Sequence, residues 1–358
     1  MNMKMILAAA LASAVFNISA VQASECGLSC CIAAGVDGVG SANGLSVTAQ
    51  YDYMTMKTIK QGLNTVALRD VIQKNLSTRT NGSRYGGSTE MVMQKFSVNA
   101  AYRINQESAV VLTVPYLIND MKMEMGMKMM GNVSFNNTTM DTVQGVGDVS
   151  LVYLHDVYKD DEYRTRKRLS LGFGLKVPTG KHDTRKANAD LIHMMMQAGS
   201  GSYDFLFLAN GTMGLGEHAD GGAQWLFNPS LTYQANTRNN LGYKLGNRLN
   251  FDISSRYRVS SALNVKLDMK LIYAAKDSSD QSIDAQSGKV AYQNPMMSMI
   301  DHVANTGITS VFIAPGFQWV ISPSVIASAE YRIPLYQNAG GIQQVTDNWF
   351  LARVSTRF

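Results

Sequence analysis

The sequence predicts an all-β protein: a transmembrane antiparallel up-and-down β-barrel of about twelve strands, with long extracellular loops and short periplasmic turns. Three observations predict this fold. Segments of about ten residues alternate apolar with polar side chains along 44–358. The connections between them alternate between long and short. The chain ends within such a segment, on Phe358.

The N-terminal residues 1–23 have the composition of a secretory signal peptide. Lys4 supplies a positive charge, the run 5–15 is apolar but too short to span a membrane, and Ala23 is a suitable cleavage position. We therefore expect export. The following segment, 24–43, contains all three cysteines, Cys26, Cys30 and Cys31. They could form one disulfide, bind Cu(I) or pair with a partner, and the segment could enter the barrel as a plug.

The first predicted strand shows the alternation clearly. Leu45 and Val47 fall on one face, whereas Ser46 and Thr48 fall on the other. The same pattern recurs in eleven further segments, whose apolar rows begin at Phe96, Val110, Val149, Leu169, Tyr203, Trp225, Leu249, Leu263, Val311, Val325 and Phe350. Because the apolar residues of one face and the polar residues of the other average out, the mean hydropathy is only −0.08. A β-sandwich strand would alternate too, so the strands alone do not decide the fold.

The lengths of the connections favour a barrel over a sandwich. The long connections are predicted at 58–88, 119–144, 179–200, 236–247, 276–306 and 337–346. The short connections lie near 105–107, 159–167, 216–222, 260–261 and 322–324. A barrel with both termini in the periplasm sorts its loops in this way, whereas a sandwich has no reason to do so.

The C-terminal run 349–358 alternates apolar with polar residues and ends on Phe358. It resembles the signal that the outer-membrane assembly machinery reads. We therefore expect this machinery and outer-membrane lipid as partners, and the outer membrane of a Gram-negative bacterium as the location.

Two functional classes are not expected. The net charge of +5 is mild and unclustered, so nucleic acid is not an expected partner. No catalytic residues are predicted either. A lipase-like His-x-Ser pair is absent, since Val157 stands at that spacing after His155, and no motif places a nucleophile beside another histidine. We expect no enzymatic activity and no cofactor, apart from the Cu(I) considered below.

Two short motifs suggest a family. Gly145-Val146-Gly147-Asp148 opens the fourth strand, and Pro178-Thr179-Gly180 follows the fifth. This pair resembles the outer-membrane transporters associated with the meta-pathway of phenol degradation. The resemblance implies a barrel that passes small, often hydrophobic or aromatic molecules. A structural reading is also open, since the glycines permit close strand approach and Pro-Thr-Gly begins a loop.

Charged residues on the polar face would line the interior. The candidates for selectivity are Lys95, Arg103, Asp148, Arg168, Lys176, Arg248, Asp252, Arg256, Lys266, Asp268, Lys270, Glu330, Arg332 and Arg353. With Arg258, Arg357, Asp52, Asp156 and Asp204, this face carries twelve positive and seven negative charges, which suggests a mild preference for anions. Alternatively, the charges pair and fill a narrow lumen.

Methionine is unusually frequent, with 22 residues, and most lie in the predicted outer loops or outer strand ends. Thioethers select soft ions such as Cu(I) or Ag(I), and imidazole is a second ligand. The candidate ligands are Met121, Met123, Met125, Met127, Met129, Met130, Met194, Met195, Met196, Met296, Met297, Met299, His193 and His302, with the three cysteines. The alternative is flexible apolar packing, or a surface that docks a partner protein.

These observations lead to two hypotheses. The first is an outer-membrane channel or transporter for small solutes, possibly hydrophobic or aromatic ones. The alternative is a surface protein that binds soft metal through methionine-rich extracellular loops, or a barrel that docks a partner.

Overall fold

The computed structural model describes residues 44–160, 166–185, 191–218, 223–280, 298–322 and 324–358. The predicted signal peptide 1–23 and the cysteine-containing segment 24–43 lie outside the described residues. Cys26, Cys30, Cys31, Met296 and Met297 therefore remain predictions only.

Strands dominate the described residues, which also form one α-helix and two short 3-10 helices. The strands are β1 (Gly44–Gly62), β2 (Asn64–Thr65), β3 (Arg84–Arg103), β4 (Ser108–Met129), β5 (Asn132–Thr139), β6 (Val143–Val146), β7 (Val149–Lys159), β8 (Lys167–Val177), β9 (Asp204–Leu215), β10 (Trp225–Ala235), β11 (Tyr243–Lys244), β12 (Arg248–Arg258), β13 (Leu263–Ala274), β14 (Ser278–Ser279), β15 (Ile308–Ser322) and β16 (Val325–Arg357). The helices are α1 (Leu68–Ser77) and the 3-10 turns Met194–Met196 and Val303–Asn305.

Eleven of these strands form one closed antiparallel barrel. Their order is β16-β15-β13-β12-β10-β9-β8-β7-β4-β3-β1, and β1 pairs with β16 to close the ring. At the closure Thr48 faces Ser355 on one side and Asn99 on the other. Closure satisfies the backbone groups of every wall strand, as a membrane interior requires.

Strand β16 folds back on itself. At about 3.3 Å per residue, one straight crossing of its 33 residues would be far longer than a membrane is thick. Residues 325–339 pair with β15, and residues 339–357 pair with β1. The reversal falls at Gly340-Gly341, where Gly341 has a φ of +133°. The long loop predicted at 337–346 is therefore wrong, because the two glycines allow a tight reversal and the strand pairing continues to it.

The barrel has two distinct ends, which we call the turn end and the loop end. The turn end holds Gly44, Phe358 and the strand ends that flank 104–107, 160–166, 216–224, 259–262 and 323–324. The loop end holds the strand ends that flank 63–83, 130–148, 178–203, 236–247 and 275–307. The predicted loop 119–144 begins eleven residues later than expected, because β4 continues to Met129 by pairing with β3 and β5.

The outer surface of the wall is apolar and the inner surface is polar. Phe173 and Leu267, on the predicted apolar face, are 51% and 52% exposed, whereas Lys95 and Lys266, on the polar face, are buried. Aromatic side chains on this apolar face are exposed on the outside, among them Tyr102, Tyr153, Trp225, Tyr233, Tyr257, Tyr273 and Trp319. Among the described residues, no helix is long and apolar enough to cross a membrane.

Helix α1 covers part of the loop end. Its residues Ile72 and Leu76 are fully buried against β3 and β4, four residues apart on one face of the helix. On its exposed side Arg69 binds Glu124 of β4 at 2.7 Å. This hydrogen bond raises the pKa of Arg69.

Candidate functional site

The interior of the barrel contains a belt of paired charges. Asp52 on β1 is fully buried and lies 3.1 Å from Lys95 Nζ on β3. Its carboxylate also accepts hydrogen bonds from Gln50 Nε2 at 2.6 Å and from Trp349 Nε1 at 2.9 Å. Three side chains from three strands are thus held by one carboxylate.

A second cluster in the belt is centred on Glu330 of β16. Its carboxylate lies 2.5 Å from Arg332, 2.7 Å from Lys266 and 3.6 Å from Arg353. The guanidinium of Arg332 also lies 4.0 Å from the ring centroid of Trp349, which is a cation–π distance. Because Trp349 donates to Asp52, this contact joins the two clusters into one network.

The remaining predicted lumen charges are also buried or half-buried, except for Arg357 at the end of β16, which is exposed. Arg103 pairs with Asp156 at 3.2 Å, Lys270 with Asp252 at 2.8 Å, and Lys266 with Asp268 at 3.0 Å. Arg256 donates to Asn228, and Arg168 and Arg248 are half-buried. Each of the seven predicted lumen acids has a cation within 4.0 Å. The interior charges therefore pair extensively, as the second sequence interpretation expects.

The two sequence motifs meet inside the barrel wall. Asp148 is fully buried, and its carboxylate accepts hydrogen bonds from Lys176 Nζ at 2.8 Å and from Gly180 N at 3.2 Å. It also accepts from Ser200 N at 2.9 Å and Ser200 Oγ at 2.5 Å. Thr179 Oγ1 donates to Gly147 O at 2.6 Å. The motifs thus fasten the connection 178–203 to β7 and β8, which is the structural role that the sequence left open.

The connection 178–203 folds inward from this anchor. Gly180 and Gly199 lie so close that a Cβ on either would overlap the other's backbone. Beyond them, Asn119 of β4, fully buried on the inner face, donates to Met196 O at 3.2 Å. The 3-10 turn Met194–Met196 therefore lies within the barrel mouth, against the wall.

Six methionines on three adjacent wall strands lie below this turn. They are Met54, Met56, Met91, Met93, Met121 and Met123, each at most 6% exposed, and we call them the methionine ladder. The register aligns them in rows: Met54 faces Met93, while Met56 faces Met91 and Met91 faces Met121. Trp349 faces Met54 on its other side.

The ladder is the largest part of an apolar cluster on the inner face of the barrel. Ile272 of β13, Phe312 of β15 and Trp349 of β16 pack in the same cluster as Met196. Phe312 and Trp349 meet edge to face, with ring centroids 5.7 Å apart. The contributing wall strands β13, β15, β16, β1, β3 and β4 are neighbours in the barrel, so apolar groups line a continuous part of the lumen at this level, beside the belt of charges.

The predicted soft-metal ligands are distributed differently from the surface site that the sequence suggested. Met121, Met123, Met194, Met196, Met299 and His193 are buried, and Met125, Met127 and Met195 are half-buried. Met129 and Met130, at the tip of the β4–β5 hairpin, and His302 are exposed. The surface location is therefore wrong for most of them. The β4 methionines turn inward because β4 continues the alternation to its loop end. Met194, Met196 and Met299 are buried because the connections that carry them pack into apolar clusters. The described part of the chain holds no group of three or more His, Cys, Asp or Glu placed to bind a metal ion.

A cavity of about 120 Å³ lies between the ladder and the connection 275–307. Its apolar lining includes Met56, Met194, Met195 and Ile272, and its polar lining includes Asp277. Burial raises the pKa of Asp277, although hydrogen bonds to its carboxylate from Tyr243 and Gly246 oppose the shift. The cavity is small, largely apolar and polar at one edge.

The sequence did not single out Trp349, Phe312, Asn119 or Asp277. Trp349 stands one residue before the outward Phe350, so the alternation alone places it on the inner face. Phe312 likewise stands next to the outward Val311, so the alternation places it on the inner face too. Asn119 and Asp277 give no such signal, because their roles depend on contacts between segments far apart in the chain.

The fold has known counterparts, whereas the sequence alone finds none: no protein-family model and no curated protein matches it. The structure is similar to the COG4313 outer membrane channel from Pseudomonas putida F1, with a TM-score of 0.53 and 10% identity, over 88% of this chain and 96% of that one. The NanC porin matches 88% of this chain and 100% of its own, with 10% identity and a TM-score of 0.38. A Pseudomonas aeruginosa FadL homologue matches 88% and 90%, with 7% identity and a TM-score of 0.36.

The similarity to the Pseudomonas putida channel shows the fold. The apolar outer surface of the wall agrees with a barrel that lies in a membrane. A closed barrel whose outside is apolar and whose inside is charged is suited to lipid around it and not to water. The chain is an outer-membrane β-barrel.

Proposed function

We propose that this barrel is a channel or facilitated transporter for small solutes, and that hydrophobic or aromatic molecules are among them. The cavity carries this proposal. An apolar protein cavity of about 150 Å³ is known to hold benzene, so a space of about 120 Å³ suits a small ring or a similar molecule. Its polar edge at Asp277 would orient one hydrogen-bonding group.

Two further observations support this function. The motif pair at Asp148 and Pro178-Thr179-Gly180 resembles the transporters associated with phenol degradation, which favours an aromatic solute. The Pseudomonas putida protein of similar fold is described as a channel.

The orientation follows from the two ends. We propose that the loop end is extracellular and that the turn end, with Gly44 and Phe358, is periplasmic. The two halves of β16 would then cross the membrane separately, which gives twelve crossings and returns both termini to one side. The strand ending at Phe358 would be the segment read by the assembly machinery.

The interior charges support a mild preference for anions. Every predicted acid has a cationic partner, yet the predicted lumen face carries five more cations than acids. A positive field along the path would favour an aromatic anion over a cation of equal size.

The soft-metal alternative is favoured by one observation, the methionine ladder. Its place is inside the barrel and not on the surface loops. The ladder would therefore bind a metal ion that has entered the lumen.

Flux through proteoliposomes tests the channel and its substrate class together. Benzenesulfonate is the probe, because its permanent charge keeps it from crossing lipid unaided. We expect influx above that of protein-free liposomes. Met195→Trp should lower it about tenfold, since an indole would fill the cavity at a packing cost of about 1–3 kcal/mol.

The matched control is Met213→Trp, because Met213 lies on the outer surface and is 42% exposed. Its influx should equal that of the unsubstituted protein. Inserted protein that admits no benzenesulfonate would contradict the aromatic substrate, and equal loss in both variants would contradict the assigned path.

A further inference from the structure

We propose that the methionine ladder is a binding site for a soft monovalent cation, Cu(I) or Ag(I), inside the barrel. The inference rests on the proposed channel function in one respect, since the ladder lies in the lumen. It replaces the surface site that the sequence suggested with a different set of residues, in which Met54, Met56, Met91 and Met93 join Met121 and Met123.

The register brings the thioethers within reach of one another. Met56, Met91 and Met121 occupy directly opposed positions on β1, β3 and β4, all on the inner face. Opposed residues on one face of an antiparallel pair have Cβ atoms about 4.5–5.5 Å apart. Because a methionine side chain is unbranched and rotates about three bonds, three such sulfur atoms can turn toward one ion.

The chemistry of the ladder favours a soft ion over a hard one. Its six side chains supply only sulfur, and carboxylates or carbonyls, which Mg²⁺ and Ca²⁺ prefer, are not part of it. Its burial keeps water away, so a strongly hydrated ion would lose its shell without replacement. Cu(I) and Ag(I) accept neutral sulfur ligands and low coordination.

One end of the ladder suits a cation better than the other. Trp349 faces Met54, and the face of its ring is already occupied by the guanidinium of Arg332 at 4.0 Å. This positive charge disfavours a second cation beside Met54. The row Met56–Met91–Met121 is farther along the strands from Trp349 and is the better position.

Two buried polar atoms next to the ladder have no partner among the described residues. His193 immediately precedes Met194–Met196, and Met195 and Met196 pack on the ladder. Its Nδ1 is bonded to Asp301, while its buried Nε2 has no hydrogen-bond partner there. A carboxylate on one nitrogen and a vacant second nitrogen is the arrangement of a metal-ligating histidine. Asn119 Oδ1, opposite Met93, is likewise unpartnered.

The alternative is that the methionines only pack. Leucine fills similar volume and is equally apolar, but it has no sulfur, so a Met→Leu change separates the two explanations. The chain also offers a matched control, since Met127, Met129 and Met130 lie on or near the tip of the β4–β5 hairpin, away from the ladder.

The test measures Ag(I) binding by calorimetry in nitrate buffer, on the refolded full chain with Cys26, Cys30 and Cys31 changed to serine. We expect Met56→Leu/Met91→Leu/Met121→Leu to weaken binding at least about tenfold, which is about 1.4 kcal/mol. Met127→Leu/Met129→Leu/Met130→Leu should bind as the parent does. His193→Gln should weaken binding, by less than the ladder variant. Retained barrel migration of unheated samples on gels shows that each variant is folded.

Unchanged Ag(I) affinity in the folded ladder variant would overturn the proposal, as would an equal loss in the hairpin variant. Unchanged affinity in His193→Gln would remove the histidine from the site. The conductance of the same preparations in planar bilayers tests the channel separately, so that failure of the metal site and failure of the channel can be told apart. Silent membranes with intact Ag(I) binding would refute the channel and leave the ladder site standing.

Discussion

Asp148 is the residue on which the loop end depends most. Its carboxylate accepts hydrogen bonds from the ammonium of Lys176 and from the backbone N–H and hydroxyl of Ser200. The side chain is fully buried. The same lysine lies 2.5 Å from Asp204 on the next strand. One carboxylate thereby fixes where the connection 178–203 enters the barrel.

We expect Asp148→Asn to lower the free energy of unfolding by about 3 kcal/mol or more, because loss of one member of a buried ion pair typically costs about 3–5 kcal/mol. Urea titration in detergent micelles, followed by tryptophan fluorescence, measures the change.

The control for this variant is Glu217→Gln. Glu217 pairs with Arg166 at 3.5 Å, but the two side chains are 60% and 39% exposed. An exposed pair contributes about 0–1 kcal/mol, so this variant should unfold nearly as the parent does. Equal losses in the two variants would show that Asp148 does not anchor the connection.

Single residues show how far the sequence could predict the site. Alternation alone predicted that Lys95, Lys176 and Glu330 face inward, since each occupies the polar parity of its strand. It could not predict that Arg332 would lie over Trp349. The pattern predicted two strands here, with rows at Val325 and Phe350, but alternation does not specify which side chains of two strands come into contact.

At the scale of elements, α1 and the β4–β5 hairpin form one packed unit at the loop end. Gly126 of β4 faces the helix, and a Cβ there would overlap Ile72 and crowd Leu76. The helix can lie flat on the hairpin only because this position has no side chain.

We expect Gly126→Val to displace α1 at a packing cost of about 1–3 kcal/mol, while the barrel itself stays closed. Limited proteolysis should then cut within 63–83 in the variant, whereas the same segment should resist cleavage in the parent. The matched variant is Ser134→Val, an exposed position on β5, where valine suits a strand. Cleavage that is unchanged in Gly126→Val would refute the packing of α1 on this hairpin.

The elements also show where sequence patterns stop being informative. The twelve alternating segments all fall in or directly beside wall strands, because alternation is required of any wall with lipid on one side. The predicted strand ends at the loop end are wrong at 119–144 and 337–346, where β4 and β16 continue into the predicted loops. At these ends a strand is extended by hydrogen bonds to a neighbouring strand. The residue pattern of one segment does not show whether such a neighbour is present.

The whole molecule combines a lipid-facing wall with a filled interior. Charges pair around Asp52 and Glu330, the methionine ladder packs with Phe312 and Trp349 on the inner face, and a small cavity lies beside them. Transport through such an interior requires a narrow path between these layers and does not need a wide pore. We therefore expect small conductance and selection among solutes by size and charge.

The most direct test of the channel is the electrical conductance of the refolded mature protein in a planar lipid bilayer. We predict stable unitary steps, with a reversal potential in a salt gradient that shows weak anion preference. Barrels that insert, shown by their resistance to protease in the same membranes, yet pass no current would contradict the account. The lumen would then be plugged, and the protein would act by binding and not by conduction.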